Sequence, residues 1–348
     1  MTVNVTRDAI NVREKLAELD KPSGIAGEAM LRAETPQEQF NLIGAGRKNI
    51  FINGGFIVSQ RGDFTSATAT TAQNYVLDRW SNYLNGCTMT VQQTDVVING
   101  VSKKAAKYTA TSSATGYFGP TQTVELANFP VGATVTMSGY VRTNNPHVYF
   151  RHDYVQNVTG IQAPDPITPD GNWHYVTWTL ETSGTLQEPV FQVLAYDYDN
   201  ISVTSGDYIE IADMQLELGK VATPFEHRSY GEELALAQRY YYRASTSELN
   251  GSLCAGFATG STGARGIINF PVSMRVAPTG IEHTGSAANY KVAYTGLAAT
   301  CTAVPTFSNA STNAAGVQFT ASGLTAGHGI AIERNSGTAF IGFTGAEL

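Results

Sequence analysis

The chain is predicted to be mainly β, on three observations. Short apolar runs recur between turn signals such as Asn53-Gly54-Gly55, Val131-Gly132-Ala133 and Asp170-Gly171-Asn172. Several runs alternate strictly: Val135, Met137, Gly139 and Val141 are interleaved with Thr136, Ser138, Tyr140 and Arg142, the period of a half-buried strand. Only 15% of the 348 residues are charged, and 34 are glycine, a balance that suits many short strands joined by tight turns. A chain of this length exceeds a single core of ordinary size. We divide it into a short helical N-terminal arm (1–47), a β-sandwich (48–230), a short linking helix with a tyrosine cluster (231–245) and a second, smaller β-domain (246–348).

In the arm, Val12, Leu16 and Leu19 fall at helical spacing until Lys21-Pro22-Ser23-Gly24 stops the pattern. Thr35-Pro36-Gln37-Glu38 then has the composition of a helix start, with a capping hydroxyl, a proline suited to the first turn and a glutamate able to reach back. Short isolated helices are marginal in water, so each needs a partner surface. The arm either packs on its own body or docks onto a larger assembly. Its separation from the sandwich by Gly44-Ala45-Gly46 favours docking.

The sandwich is expected to open with a hairpin, Asn49–Ile52 and Phe56–Val58 around Asn53-Gly54-Gly55. Further strands follow at Val135–Val141, from His147, from Trp173, from Glu188 and from Asp207. With Val135, Met137 and Val141 turned inward, Tyr140 and Arg142 face out; with Val176, Trp178 and Leu180 inward, Trp173 and Tyr175 face out. Tyr149 and Arg151 share a face in the neighbouring run. These six residues are candidates for an aromatic and polar strip across one sheet, the chemistry that stacks on a pyranose ring and pairs with its hydroxyls. The competing reading is that strand aromatics pack on loops or on a sister subunit. Trp80 and Trp178 are assigned to the core.

Gly231–Arg239 reads as a helix with carboxylates in its first turn, followed by Tyr240, Tyr241 and Tyr242. Leu236 and the three tyrosines are candidates for a subunit or domain interface. The tail is poor in charge and carries strand-like runs at GIINFPVSM, YKVAYTG, VQFTA, GIAIER and FIGFTG.

Much is excluded. The formal charge of -7, without a basic cluster, argues against nucleic acid. Cys87, Cys254 and Cys301 are far apart and expected to be free and buried. No phosphate loop, nucleophile elbow or zinc-protease helix occurs, so no cofactor and no metal are expected. Asp153, Asp165, Asp197 and Asp199 lie in runs where two carboxylates would be needed for glycoside cleavage, yet their spacing does not pair them. The N-terminal MTVNVTRDAINVREKL carries charge where a secretory signal needs an apolar run, and no stretch of about 18 apolar residues offers a membrane span.

The motifs NIFINGGFIVSQRG, YVLDRWS and QLELGKVATPFEHRS together resemble the jelly-roll domain of bacteriophage tail-fibre and other virion proteins, which in turn resemble carbohydrate-binding modules. The likeness covers residues 48 to about 243, and FPVSMRVAPT after QRYY resembles the distal region of phage fibres. It implies a non-enzymatic virion surface protein, a homotrimer made in the host cytoplasm, attached to other virion proteins through residues 1–47 and displaying β-domains toward host-surface polysaccharide. A structural virion protein, such as a head fibre, capsid decoration or tail adaptor, is the alternative. The module likeness also implies a structural calcium near the opening strand, with Asp213 as a ligand. Ile57, however, stands where those modules carry an acidic residue.

Overall fold

The computed structural model describes residues 48–125, 132–153, 161–181, 189–196, 202–294 and 296–348. The expected arm lies outside them, as do Asp197 and Asp199. The sandwich runs through β1 (Thr68–Thr70), β2 (Tyr75–Leu77), β3 (Trp80–Asn85), β4 (Met89–Ile98), β5 (Val101–Ala110), β6 (Ala114–Thr115) and β7 (Tyr117–Thr123). It continues with β8 (Thr134–Thr143), β9 (Val148–Asp153), β10 (Ile161–Gln162), β11 (His174–Glu181), β12 (Val190–Ala195), β13 (Ser202–Val203) and β14 (Tyr208–Leu218).

Two six-stranded sheets result, the first in the order β1-β4-β5-β14-β8-β11 and the second in the order β10-β9-β12-β7-β3-β2. From β7 to β14 the long strands alternate between the sheets, which is jelly-roll connectivity. Alternation places Val135, Met137, Val141, Trp178 and Leu180 in the shared core, against Phe118, Phe150, Phe191 and Trp80 of the second sheet.

The opening segment differs from the expected hairpin. Residues 49–58 form bends rather than ladder strands, and Asn53 and Phe56 take left-handed φ of 58° and 54°. Phe51 and Phe56 nevertheless reach the core and meet Trp80 at 5.3 and 5.2 Å between ring centroids. Two backbone bonds tie the segment to β14, from the Ile50 N–H to the Leu216 carbonyl (2.7 Å) and from the Met214 N–H to the Gly54 carbonyl (2.9 Å), and side chains supply further partners. Asn49 donates to the Met214 carbonyl (3.1 Å) and accepts from the N–H groups of Phe51 (3.0 Å) and Leu216 (3.1 Å). Asn53 donates to the carbonyls of Val58 (2.9 Å) and Asp78 (3.0 Å) and accepts from the Val58 N–H (2.9 Å). Gly54 is required here, since a Cβ would stand 2.0 Å from the Met214 carbonyl oxygen.

Helix α1 (Tyr230–Gln238) starts on a capping box made by Ser229 and Glu232. After it, β15 (Tyr242–Thr246), β23 (Ala339–Thr344) and β18 (Gly280–His283) make a three-stranded sheet. A closed barrel follows the order β16 (Ser252–Ala258), β17 (Gly263–Asn269), β21 (Ala314–Ala321), β20 (Leu297–Ala310), β19 (Tyr290–Tyr294) and β22 (Gly329–Arg334). Cys254 and Cys301 are free and buried in this second core, as Cys87 is in the first.

The tyrosine cluster joins the two β-domains. Tyr240 lies under the Arg79 guanidinium at 3.6 Å and donates to Glu125 at 3.0 Å; burial pushes its phenol up to about 12. Tyr241 lies under Arg61 at 3.7 Å and its hydroxyl donates to Glu282. Tyr242 turns into the second core, 5.8 Å from the Phe270 ring, while Leu236 is half-buried on the helix. Arg61 (3.1 Å) and Arg79 (2.6 Å) both hold Glu347, so the C-terminal segment is fastened to the sandwich.

Substituting Asn49→Ala strands two buried N–H groups and a carbonyl and should cost about 3 kcal/mol in urea-induced unfolding. A loss below about 0.5 kcal/mol, the size of an ordinary surface substitution, would show that backbone geometry alone holds the segment.

Candidate functional site

Each sheet presents an outer face, and the six residues proposed for a single strip are divided between the two. Tyr140, Arg142, Trp173 and Tyr175 lie on the first sheet or at its margin; Tyr149 and Arg151 lie on β9 of the second. The expectation of one continuous strip is therefore corrected. The residues β9 presents were read properly, but β9 pairs with β12 and β10 rather than with β8.

On the first sheet the aromatic surfaces are largely engaged from within. Tyr140 and Trp173 pack on a small cluster of Val96, Ile98, Ala105 and Ala212 supplied by β4, β5 and β14. Asn99, at the tip of the β4–β5 hairpin, donates to the Tyr140 hydroxyl at 3.2 Å. The Arg142 guanidinium lies 4.8 Å from the Trp173 ring and donates to Glu210 at 2.6 Å. Tyr175, 48% exposed, sits 5.1 Å from Tyr140.

The second sheet carries a different face. Because Trp80, Phe118, Phe150 and Phe191 point into the core, their neighbours point out. Ser81, Thr121, Gln192, Arg151 and Gln162 pair successively across β3, β7, β12, β9 and β10, forming one polar row. Gln192 is 1% exposed, and the buried Oε1 atoms of Gln192 and Gln162 have no hydrogen-bond partner among the described residues. Ser81, Thr121, Gln192 and Arg151 are themselves buried, so among the described residues it is the half-buried Tyr83, Tyr117 and Tyr196 beside this row that reach the surface.

Beside this row stands an aromatic group. Tyr83 and Tyr117 stack at 4.8 Å with an interplanar angle of 19°, and Tyr196 meets Tyr117 edge-on at 5.7 Å. The Arg151 guanidinium lies 4.3 Å from the Tyr196 ring and is paired with Asp153 at 2.8 Å. Burial and the neighbouring Tyr117 hydroxyl push the Tyr83 phenol up, so it remains a neutral hydroxyl at physiological pH. Gly119, opposite Tyr83 in the ladder, lets β7 approach β12 closely: a Cβ there would stand 2.1 Å from the Val193 carbonyl. Flat rings next to planar amide and guanidinium groups suit a neutral, hydroxyl-rich ligand with one apolar side.

Sequence reading found Tyr149 and Arg151 but not Tyr83, Tyr117, Tyr196 or the two glutamines. A signal existed in the alternation around Leu84 and Phe118. The strand order that joins these short runs did not.

Of the carboxylates considered for hydrolysis, Asp153 is committed to Arg151 and Asp165 is exposed after β10. His152 is buried against Phe191 at 4.5 Å. No group of three or more metal-ligating side chains occurs among the described residues. Asp213, the calcium ligand implied by the module likeness, sits at a bulge of β14 with φ 49° and receives the Lys103 ammonium at 2.5 Å. A cation supplied by the chain already holds that carboxylate, and Ile57 adds no oxygen, so the residues do not fit a calcium ion.

No family model and no curated protein matches the chain. Solved structures do. The enzymatically active domain of bacteriophage CBA120 tailspike protein 4 aligns with a TM-score of 0.34 and 12% identity, over 49% of this chain and 21% of that one. TmCBM61, solved with β-1,4-galactotriose, aligns at 0.29 and 15%, over 50% of this chain and 100% of its own. The CBM22-1 xylan-binding domain of Paenibacillus barcinonensis Xyn10C aligns at 0.28 and 15%, over 51% and 100%. These likenesses cover about half of the chain.

Lys103→Met should destabilise the sandwich by about 3 kcal/mol, because it leaves the Asp213 carboxylate buried without its partner. Thermal melts with and without a calcium chelator should coincide for the unsubstituted protein. A chelator-induced fall in Tm would contradict the lysine's role.

Proposed function

We propose that the chain is a non-enzymatic glycan-binding protein of a virion surface, a tail fibre that adheres to host polysaccharide through the outer face of its second sheet. The observation that carries this reading is the Tyr83–Tyr117 stack, with Tyr196 and Arg151, half-buried tyrosines beside a guanidinium on one sheet face. Sugar rings would lie against the tyrosines, with the tyrosine hydroxyls and the Arg151 guanidinium beside Tyr196 bonding the sugar hydroxyls. Each contact is weak. Copies in a homotrimer, and many fibres per particle, would raise the effective concentration enough to hold a cell. The virion setting rests on the motif resemblance, as does attachment through residues 1–47.

An assembly role, as a head fibre, decoration or adaptor, is favoured by one observation. The barrel exposes Phe257 (45%) and Ile267 (40%) on neighbouring strands β16 and β17, an apolar patch suited to packing between copies. The two roles are compatible in one protein.

Binding of the purified protein to host-surface polysaccharide, followed by affinity electrophoresis, should weaken at least about tenfold in Tyr117→Ala and in Arg151→Ala, the scale of a hot-spot side chain. Tyr175→Ala, on the other sheet, should bind normally. Unchanged binding in the first two variants would remove the proposed face. Incubation with the polysaccharide should leave the number of reducing ends constant, and a rise would contradict the non-enzymatic reading.

A further inference from the structure

A cavity of about 350 Å³ opens between the β4–β5 hairpin, the bulge of β14, the opening turn and the linker after β14, with no lining residue from the second sheet. Its size falls in the lower part of the range that holds small ligands, room for one ring rather than a chain. The opening turn contributes Gly55, and the Phe225 ring tip lies 3.5 Å from where a Cβ of that residue would stand. Phe225 and His227, 5.0 Å apart and nearly perpendicular, give the wall two aromatic surfaces.

The polar lining is built from complete ion pairs. Lys103 holds Asp213 at 2.5 Å and Lys104 holds Asp95 at 2.7 Å. Arg228 holds Glu226 at 2.8 Å and Glu233 at 3.3 Å. The Arg228 side chain is 6% exposed, and its Nε–H, also buried, has no partner among the described residues.

These features select a ligand class. An anion or a cation would have to compete with the Lys103–Asp213 and Arg228–Glu233 pairs, at the cost of stranding a buried charge, whereas Lys104–Asp95 is a surface pair. An apolar ligand would cover the same ion pairs without replacing their water. A hydroxyl both donates and accepts, so it can bond a carboxylate and an ammonium of the same pair without separating them. With an aromatic wall for the C–H side of a ring beside these ion pairs, we propose that this cavity binds a single neutral pyranose, the terminal residue of a glycan chain. The sandwich would then hold a glycan at two places, along the sheet face and at a chain end. The cavity stands on its own observations and does not require the sheet face to bind.

The test uses the full chain and a panel of methyl hexopyranosides of glucose, galactose and mannose, with methyl glucuronoside as the charged comparison, in saturation-transfer NMR. At least one neutral glycoside should receive saturation. The signal should fall at least fivefold in Phe225→Ala and in His227→Ala and persist in Tyr117→Ala. His227 is exposed, so its removal leaves the fold intact and keeps the test decisive if Phe225→Ala is unstable. Absence of signal from every neutral glycoside, preference for the glucuronoside, or a signal unaffected by both cavity substitutions would each overturn the proposal. Loss of signal in Tyr117→Ala would also overturn it, assigning the glycoside to the sheet face.

Discussion

Closure of the sandwich turns on one buried cation. Arg228 donates to the backbone carbonyls of Asn49 and Phe51 in the opening segment, and it is ion-paired with Glu226 in the linker and Glu233 on α1. Glu233 in turn accepts from the Asn53 N–H. Burying a guanidinium is costly unless carboxylates and carbonyls surround it, and here both do. The opening segment, which has no ladder of its own, is thereby held against the linker and the helix. That fixes the direction in which α1 delivers Tyr240 and Tyr241 to Arg79 and Arg61, and through them the docking of Glu347.

The same constraint explains how the surface is divided. Once the two sheets face each other through Trp80, Phe118, Phe150 and Phe191, every alternate residue is sent outward, whatever its later use. On the first sheet those outward residues meet a hairpin long enough to fold Ile98 over Ala105 and Ala212, which engages Tyr140 and Trp173. On the second sheet the tyrosines instead meet one another and Arg151. Two faces of similar composition therefore differ in chemistry because of what packs on each.

Much of the fold was legible in the sequence wherever a strand alternated. Val135, Met137, Val141, Trp178 and Leu180 lie inward as their spacing predicts, and α1 has the first-turn carboxylates read for it. The opening segment was misread because Phe51 and Phe56 look the same whether a ladder or asparagine side chains satisfy the backbone around them. The site was only half legible: Tyr149 and Arg151 share a face, but their sheet neighbours come from β12 and β10, a long-range pairing that no local period encodes. The tyrosine run posed a similar difficulty. Three adjacent residues went to three environments, at Arg79 and Glu125, at Arg61 and Glu282, and in the second core.

The central claim is that the outer face of the second sheet receives sugar. The most direct measurement is a crystal structure of the protein soaked with an oligosaccharide released from the host-surface polysaccharide. A sugar ring lying on the Tyr83–Tyr117 pair, with hydroxyls within hydrogen-bond distance of the tyrosine hydroxyls or Arg151, is the predicted result. An ordered oligosaccharide on the Tyr175 face, with the tyrosine stack of the second sheet bare, would contradict it.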